Sequence, residues 1–322
     1  MSIIKKLNTR AASTEQTGFG TNSENSGGRF YNIDGSPNLE VQGVNFFERM
    51  SIYNTMLKVS SWKFILIVLS FYILVNLFFA LLYTLVGIEN LGGLEGDSTL
   101  MKFWEAFFFS AQTLSTVGYG HIYPTGMMAN IIAATESLLG LLAFALATGM
   151  MYGRFSRPRA YMMYSKNVLY APYKNGVAVM FRFVPYKHRN LSEAEVKATL
   201  AMKVQDDGHT SNKFYNLNLD ISKINSLTLS WTIVHAINEQ SPFYNLTKED
   251  LVASNAEILV FVKAYDETFS NNVISRTSYV ASEFIFGAKF RLMYHPSPDK
   301  SHTVLYINRV SEYDLVDLPV NI

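Results

Sequence analysis

The sequence predicts a chain in two parts: a helical membrane portion with two spans and a re-entrant loop, then an all-β soluble portion. Three observations carry this. Residues 64–152 are apolar and almost uncharged while both flanks are polar, so the 16% of charged residues sits mainly outside that stretch. Between two long apolar runs lies a third that is too short to cross a bilayer. After about Lys166 the pattern changes to short β-like runs separated by turn residues. Composition also excludes whole classes of function. With 27 Lys+Arg against 26 Asp+Glu there is no basic excess, so no nucleic-acid partner is expected. The absence of cysteine excludes a disulfide scaffold, a thiol nucleophile and any Cys-ligated zinc or iron–sulfur site.

Taken in order, residues 1–43 are rich in Ser, Thr, Asn and Gly and read as a tail, mobile until it meets the soluble portion. In residues 44–58, Phe46, Met50, Tyr53 and Leu57 share one helical face, as in a helix lying on a membrane surface. Residues 59–153 form the membrane portion. Its first span, 64–88, has no charged side chain, and at roughly 1.5 Å per residue it is long enough for a ~30 Å hydrocarbon core. It lies too far from the N-terminus and is too long for a signal peptide. The second span, 127–152, carries only Glu136 as a charge, whereas a buried helix of a soluble protein seldom stays uncharged for so long.

Orientation follows from Lys and Arg. Arg49, Lys58 and Lys63 precede the first span, and Arg154, Arg157, Arg159 and Lys166 follow the second. The connection holds Glu89, Glu95, Asp97 and Glu105 against Lys102. Both termini are therefore expected in the cytoplasm, with the connection outside.

Residues 102–120 lie in that connection. Phe103–Gln112 reads as a helix of two to three turns, followed by Thr116-Val117-Gly118-Tyr119-Gly120 and then Pro124 and Gly126. Irregular backbone at membrane depth survives only when buried in protein or lining an aqueous path. The pentapeptide resembles the potassium-channel signature, and its residue types have physical reasons. A dehydrated potassium ion needs oxygens in place of its water shell. Successive carbonyls supply them if the backbone alternates in handedness, which Gly118 and Gly120 tolerate. Ion sites are expected at Thr116, Val117, Gly118 and Tyr119, with the Thr116 hydroxyl as the innermost ring. Val117 and Tyr119 would point outward and brace the cage, and the C-terminal dipole end of the short helix would face the path. A bare Gly-rich turn does not explain this placement between two spans. One such loop per chain and no internal repeat imply a homotetramer.

The sequence resembles the inward-rectifier potassium channel family, and its bacterial members in particular, from about Val44 to about Tyr313. The residues that carry this are Leu57-Lys58-Val59-Ser60, Phe79-Ala80-Leu81-Leu82-Tyr83, Ala111-Gln112-Thr113-Leu114, Arg154-Phe155-Ser156-Arg157-Pro158-Arg159-Ala160 and the stretch Thr232–Pro242. The resemblance implies a passive potassium channel and not an enzyme, in a bacterial inner membrane, with no cofactor beyond permeant potassium. It implies that residues 44–58 are an interfacial slide helix and that residues 154–322 are an immunoglobulin-like cytoplasmic sandwich.

Glu136, Gly140, Phe144, Thr148 and Tyr152 recur every four residues along a drifting helical stripe. A packing face is one reading. The other has Phe144, Thr148 and Tyr152 lining the pore, with Tyr152 at the family's bundle-crossing gate and Gly140 or Gly149 as a bending point. Where strong rectifiers of the family carry an acid that holds cationic blockers, this chain has Phe144, and Gln112 and Ile122 replace a pore-helix ion pair. Glu136 is expected to brace the filter from behind, and Asn76 to make an interhelical hydrogen bond. Lys58, Arg154, Arg157 and Arg159 either fix topology or bind the anionic lipids that regulate the family. In the soluble portion, strands are expected at 177–184, 199–204, 227–237, 257–264, 278–286 and 303–309, in an antiparallel sandwich. The resemblance makes Ala264-Tyr265-Asp266-Glu267-Thr268 a cytoplasmic constriction where Asp266 and Glu267 would concentrate cations. His188, His209, His235, His295 and His302 are scattered with no metal-ligand spacing, and His235 reads as a satisfied core residue. Two other readings remain: a weakly selective cation channel, and a membrane-anchored sensing module.

Overall fold

The computed structural model describes residues 8, 10–11, 13–14, 18–19, 28–43, 45, 51–156, 158, 160–187, 190–206 and 209–319. The chain divides into two compact units, Gln42–Arg157 and Met1–Val41 with Pro158–Ile322.

The first unit is helical. A short helix, α1 (Ile52–Lys58), is capped by the Ser51 side chain, which accepts from the Asn54 N–H. Residues 46–50, the rest of the expected surface helix, lie outside the described residues. The two expected spans are helices α2 (Ser61–Gly87) and α4 (Met127–Phe155), both long and apolar enough to cross a membrane. Leu69, Phe71, Leu74, Phe78, Leu81 and Leu85 on α2 are exposed, an apolar surface suited to lipid and not to water.

Between the spans lies α3 (Thr99–Leu114), longer at both ends than the expected two to three turns. The Ser98 hydroxyl accepts from the Met101 N–H and starts it earlier, a capping signal outside the apolar run from which its length was read. A two-residue antiparallel pair, β1 (Leu91–Gly92) with β2 (Tyr123–Pro124), ties together the two ends of the connection between the spans. Tyr83, Phe79, Ala80, Leu91, Ala106 and Phe109 form the unit's own buried core.

The second unit is all-β. Its strands are β3 (Met162–Tyr164), β4 (Val168–Tyr173), β5 (Gly176–Pro185), β6 (Leu191–Asp206), β7 (His209–Asn216), β8 (Lys223–Ser226) and β9 (Trp231–Ala236). After helix α5 (Lys248–Ala253) come β10 (Glu257–Asp266), β11 (Asn271–Val280), β12 (Phe284–Phe286), β13 (Ala288–Phe290), β14 (Tyr294–Pro296), β15 (Thr303–Leu305) and β16 (Tyr313–Leu315). One sheet runs β11-β10-β6-β7 with β8 on β6, and the other β12-β4-β5-β3 with β9 on β5. A single core lies between them, with Val168, Phe181 and Ile233 from one sheet and Val196, Leu200 and Val260 from the other. The sandwich is therefore as expected, except that β12 pairs with β4 in parallel. Expected strand 278–286 is broken by a 3₁₀ turn at Ala281–Glu283, where Glu283 accepts from the Val280 N–H. Expected strand 227–237 starts only at Trp231.

Described residues of the N-terminal segment run along this sandwich. The Thr14 N–H donates to Phe214 O at 2.8 Å, and the buried Glu257 carboxylate accepts from the Phe30 N–H at 2.9 Å. Burial raises the Glu257 pKa, while Ser278 and the Phe30 and Tyr31 N–H groups oppose that rise. Arg182 on β5 is buried and donates to the carbonyls of Val310 (2.7 Å), Arg291 (2.5 Å) and Arg309 (2.5 Å), fastening connections that flank the C-terminal strands. Desolvation lowers its pKa to about 10.

His235 is a satisfied core histidine. Nδ1 lies 2.8 Å from Asn218 O and Nε2 2.8 Å from Ser241 Oγ, which fits a neutral ring donating from Nδ1 and accepting at Nε2. Burial lowers its pKa from the ordinary 6.5. Below that value the unfolded chain takes a proton that the buried ring refuses, so stability falls as the pH drops and is level above it. Thermal unfolding of the protein in detergent should show this acid-side loss, and His235→Gln should flatten it. An unchanged pH profile in the variant would refute the assignment.

Candidate functional site

The segment after α3 is built from the C-terminus of that helix. Gln112 O accepts from the Val117 N–H at 2.9 Å and from the Gly118 N–H at 3.3 Å, while Thr113 O accepts from the Thr116 N–H at 3.1 Å. These bonds satisfy carbonyls that a helix end leaves open and fix where the extended segment begins. Beyond them the backbone alternates. Thr116, Gly118 and Gly120 have φ of 61°, 53° and 82°, whereas Val117 and Tyr119 do not enter the positive region. The glycines adopt this freely. Thr116 does not, and a non-glycine residue in that region stores roughly 1–3 kcal/mol of strain. The two glycines announce this backbone in the sequence, whereas the strained threonine does not.

Carbonyls that alternate in this way can be turned to one side, the arrangement a ring of oxygens requires. Val117 and Tyr119 are 53% and 79% exposed, so a single chain offers them no bracing surface.

Behind the segment is a buried polar cluster that joins three helices. The Tyr83 hydroxyl on α2 donates to Glu136 Oε2 at 2.7 Å. Ser110 Oγ on α3 contacts Glu136 Oε1 and lies 2.9 Å from Asn76 Oδ1, and Asn76 Nδ2 donates to Tyr72 O at 2.7 Å. Asn76, Ser110 and Glu136 are wholly buried. The interhelical bond expected of Asn76 is thus made, through Ser110. Tyr72 in turn donates from its hydroxyl to Ala111 O at 3.2 Å. Of this set, Ser110 was not singled out from the sequence, because one serine within Phe103–Gln112 has no periodic signature.

One turn below Glu136, a Cβ on Gly140 would sit 2.0 Å from Leu114 O. Gly140 is therefore a close-approach residue between α4 and the end of α3, not a free bending point. Nothing lies within 4 Å of a Cβ at Gly149, and α4 is continuous through both positions. The expected stripe on α4 divides accordingly. Each four-residue step drifts by roughly 40°, so the stripe turns by roughly 160° between Glu136 and Tyr152. Glu136 and Gly140 are buried, whereas Phe144, Thr148 and Tyr152 are exposed.

At the other end of α4, Arg154 is engaged within the chain. Its guanidinium donates to Met56 O and, at 2.6 Å, to Val59 O, and lies 4.7 Å from the Phe64 ring centroid. It therefore fastens α4 to the corner between α1 and α2. The Lys58 side chain, Arg157 and Arg159 lie outside the described residues.

The expected loop at 264–268 is partly strand, since β10 runs to Asp266. Ala264 and Asp266 are fully buried. Asp266 Oδ1 accepts from the Thr268 N–H at 3.0 Å and the Phe269 N–H at 3.3 Å, so this acid builds the hairpin turn and is not the surface acid expected. Tyr265 is half-buried, and Glu267 and Thr268 are exposed. Among the described residues no group of three or more His, Asp or Glu side chains is placed to hold a metal.

Residues 162–320 match the family description "Inward rectifier potassium channel C-terminal domain", and residues 63–157 match "Ion channel". The chain is 33% identical over 275 residues to the inward rectifier potassium channel Kirbac3.1 of Paramagnetospirillum magnetotacticum, covering 84% of this chain and 91% of that one. It is 26% identical over 286 residues to the G protein-activated inward rectifier potassium channel 2 of Pongo abelii, covering 81% of this chain and 67% of that one. Against the ATP-sensitive inward rectifier potassium channel 12 of Gallus gallus it is 27% identical over 251 residues, covering 71% and 58%. With nearly the whole length of a bacterial member matched and the two spans and β-sandwich in place, the chain belongs to the inward-rectifier potassium channel family.

Proposed function

We propose that four copies of the chain close around one axis into a pore in which the Thr116–Gly120 segments replace the water shell of a permeating potassium ion. A potassium-selective channel of the inward-rectifier type is what family membership supports. The observation that carries the site is the alternation of positive φ at Thr116, Gly118 and Gly120. Potassium ions, as cargo and not as a resident cofactor, would be held by oxygens of Thr116, Val117, Gly118 and Tyr119. The exposed Val117 and Tyr119 would be covered by a neighbouring copy. Glu136 braces this segment through Ser110, four residues before α3 ends.

Phe144 and Thr148 line the path below the filter, and Tyr152 is its gate, closing by excluding water. Their exposure supports this, while Glu136 and Gly140 on the same helix are spent on packing. An aromatic at 144 gives polyamine-like blockers no carboxylate to bind, so strong rectification is not expected. Both termini lie in the cytoplasm on the distribution of Lys and Arg. Anionic lipids act at Lys58, Arg154, Arg157 and Arg159, where Arg154 already joins α4 to the α1–α2 corner and gives such lipids a route to the gate. In the sandwich, Tyr265, Glu267 and Thr268 are the members of the 264–268 stretch left to face a conduction path.

The test is rubidium uptake into liposomes with potassium inside and sodium as the external competitor. Uptake should be blocked by barium and unaffected by sodium, and Tyr152→Ala should raise it. Uptake that sodium abolishes, or that barium leaves unchanged, would overturn the selective pore. An unaltered rate in Tyr152→Ala would remove the gate from that residue.

A further inference from the structure

The outer connection holds a pair of side chains that the conduction mechanism leaves unused. His121 follows Gly120 directly, and its Nε2 lies 3.8 Å from Glu95 Oε1. Both side chains are largely exposed, 63% and 80%, yet their backbones are fixed. The β1–β2 pair ties Leu91–Gly92 to Tyr123–Pro124 just beside them. Gly93 crosses so close to His121 that a Cβ there would sit 2.0 Å from the His121 carbonyl oxygen, and its φ of +85° suits only glycine. The Glu95 N–H donates to Glu105 Oε1 at 3.2 Å, which anchors that side of the pair to α3.

A 3.8 Å gap exceeds a direct N–H···O hydrogen bond, for which about 2.7–3.2 Å is usual. It is close to what a bridging metal ion needs. Metal–nitrogen and metal–oxygen bonds of about 2.0–2.2 Å at a tetrahedral angle put the two donor atoms about 3.4 Å apart, within reach of a small rotation of two exposed side chains. Imidazole nitrogen with one carboxylate oxygen is a donor set for zinc or nickel, while magnesium prefers oxygen ligands alone and keeps its waters.

The geometry points to a transition-metal site at Glu95 and His121, on the outer connection one residue beyond Gly120, that takes a zinc-class divalent cation and thereby blocks the pore. Each chain supplies two ligands, and water completes the coordination. Binding follows from the described geometry alone. Block rests on the proposed reading of Thr116–Gly120 as the filter, since a dication held one residue from that segment repels an arriving potassium ion.

Two measurements on the full, tag-free protein separate these parts. Calorimetric titration with zinc chloride in detergent should show saturable binding that weakens at least about tenfold in His121→Ala and in Glu95→Gln, no less than the loss typical of removing a residue that only supports a ligand. Magnesium chloride should give no such heat. In the rubidium assay, zinc should slow uptake, a chelator should restore it, and His121→Ala, with normal uptake in the absence of zinc, should resist. Zinc binding that is equal in wild type and both variants would overturn the site. Binding lost in the variants without any slowing of wild-type uptake would overturn the block and keep the site. Absence of barium-sensitive uptake in wild type without zinc would count against the pore itself, leaving the calorimetry to decide the site.

Discussion

Replacing Gly118 with alanine should reduce barium-sensitive rubidium uptake to the level of empty liposomes while the protein still purifies as a folded assembly. Gly118 sits at φ +53°, and nothing in the chain lies within 4 Å of a Cβ placed there. The substitution therefore meets no wall within its own subunit, and its direct cost is the left-handed backbone, roughly 1–2 kcal/mol. That is a small part of the stability of an assembly with two spans and a sandwich per chain. The peptide can relieve it by rotating toward negative φ, and that rotation turns a carbonyl away from the axis. Because the substitution is repeated in every copy, one lost oxygen per chain removes a whole ring. The effect should thus fall on transport and spare folding, which circular dichroism and gel filtration would verify. Wild-type uptake in Gly118→Ala would show that the alternation at 116–120 is not what conducts. A loss of assembly together with flux would leave a packing role instead.

The second large effect is expected at Glu136. Ser110 has a single hydroxyl proton, so it cannot donate both to Glu136 Oε1 and to Asn76 Oδ1. The count closes when the group at 136 also supplies a donor: 136 to Ser110, Ser110 to Asn76, Asn76 to Tyr72 O, and Tyr83 to the remaining oxygen at 136. Glutamine has one donor end and one acceptor end and can fill that role without charge. Leucine orphans the Tyr83 hydroxyl, at about 1–3 kcal/mol for an unsatisfied buried group, and leaves Ser110 only its bond to Asn76. Glu136→Gln should therefore assemble and conduct close to wild type. Glu136→Leu should lower the melting temperature of the detergent-solubilised assembly markedly and lose potassium selectivity, since Ser110 lies four residues before the end of the helix that carries Thr116. Equal behaviour of the two variants would sink the hydrogen-bond argument. If glutamine alone failed, the charge and not the bonding would be what matters.

Much of this protein is legible in its sequence because the controlling signals are local. The length and apolarity of 64–88 and 127–152 specify spans wherever they are placed, since an uncharged run of that length has few soluble alternatives. The pentapeptide at 116–120 states its own backbone through its glycines, and short apolar runs bounded by turn residues mark β5 and β10. The soluble half was less legible where strands are short or interrupted. β13, β14 and β16 are three residues each, too brief for any period, and they are held by their antiparallel partners.

Other features were decided by contacts between residues far apart in the chain. Gly140 reads as a hinge until the Leu114 carbonyl is found against it. Asp266 reads as a surface acid until its turn folds over it. Arg154 reads only as a basic residue that sets topology or meets lipid until its guanidinium is found on the carbonyls of Met56 and Val59, where it also joins α4 to the α1–α2 corner. His121 and Glu95 carry no motif and become a pair only through the β1–β2 closure. The spans, the alternating segment and the β character of the soluble half are written locally, because run length, turn residues and glycine act within a short stretch of chain. Which glycine packs, which acid is buried and which cation is occupied were decided only by the tertiary structure, because burial and hydrogen-bond partners are properties of the neighbours that folding brings together.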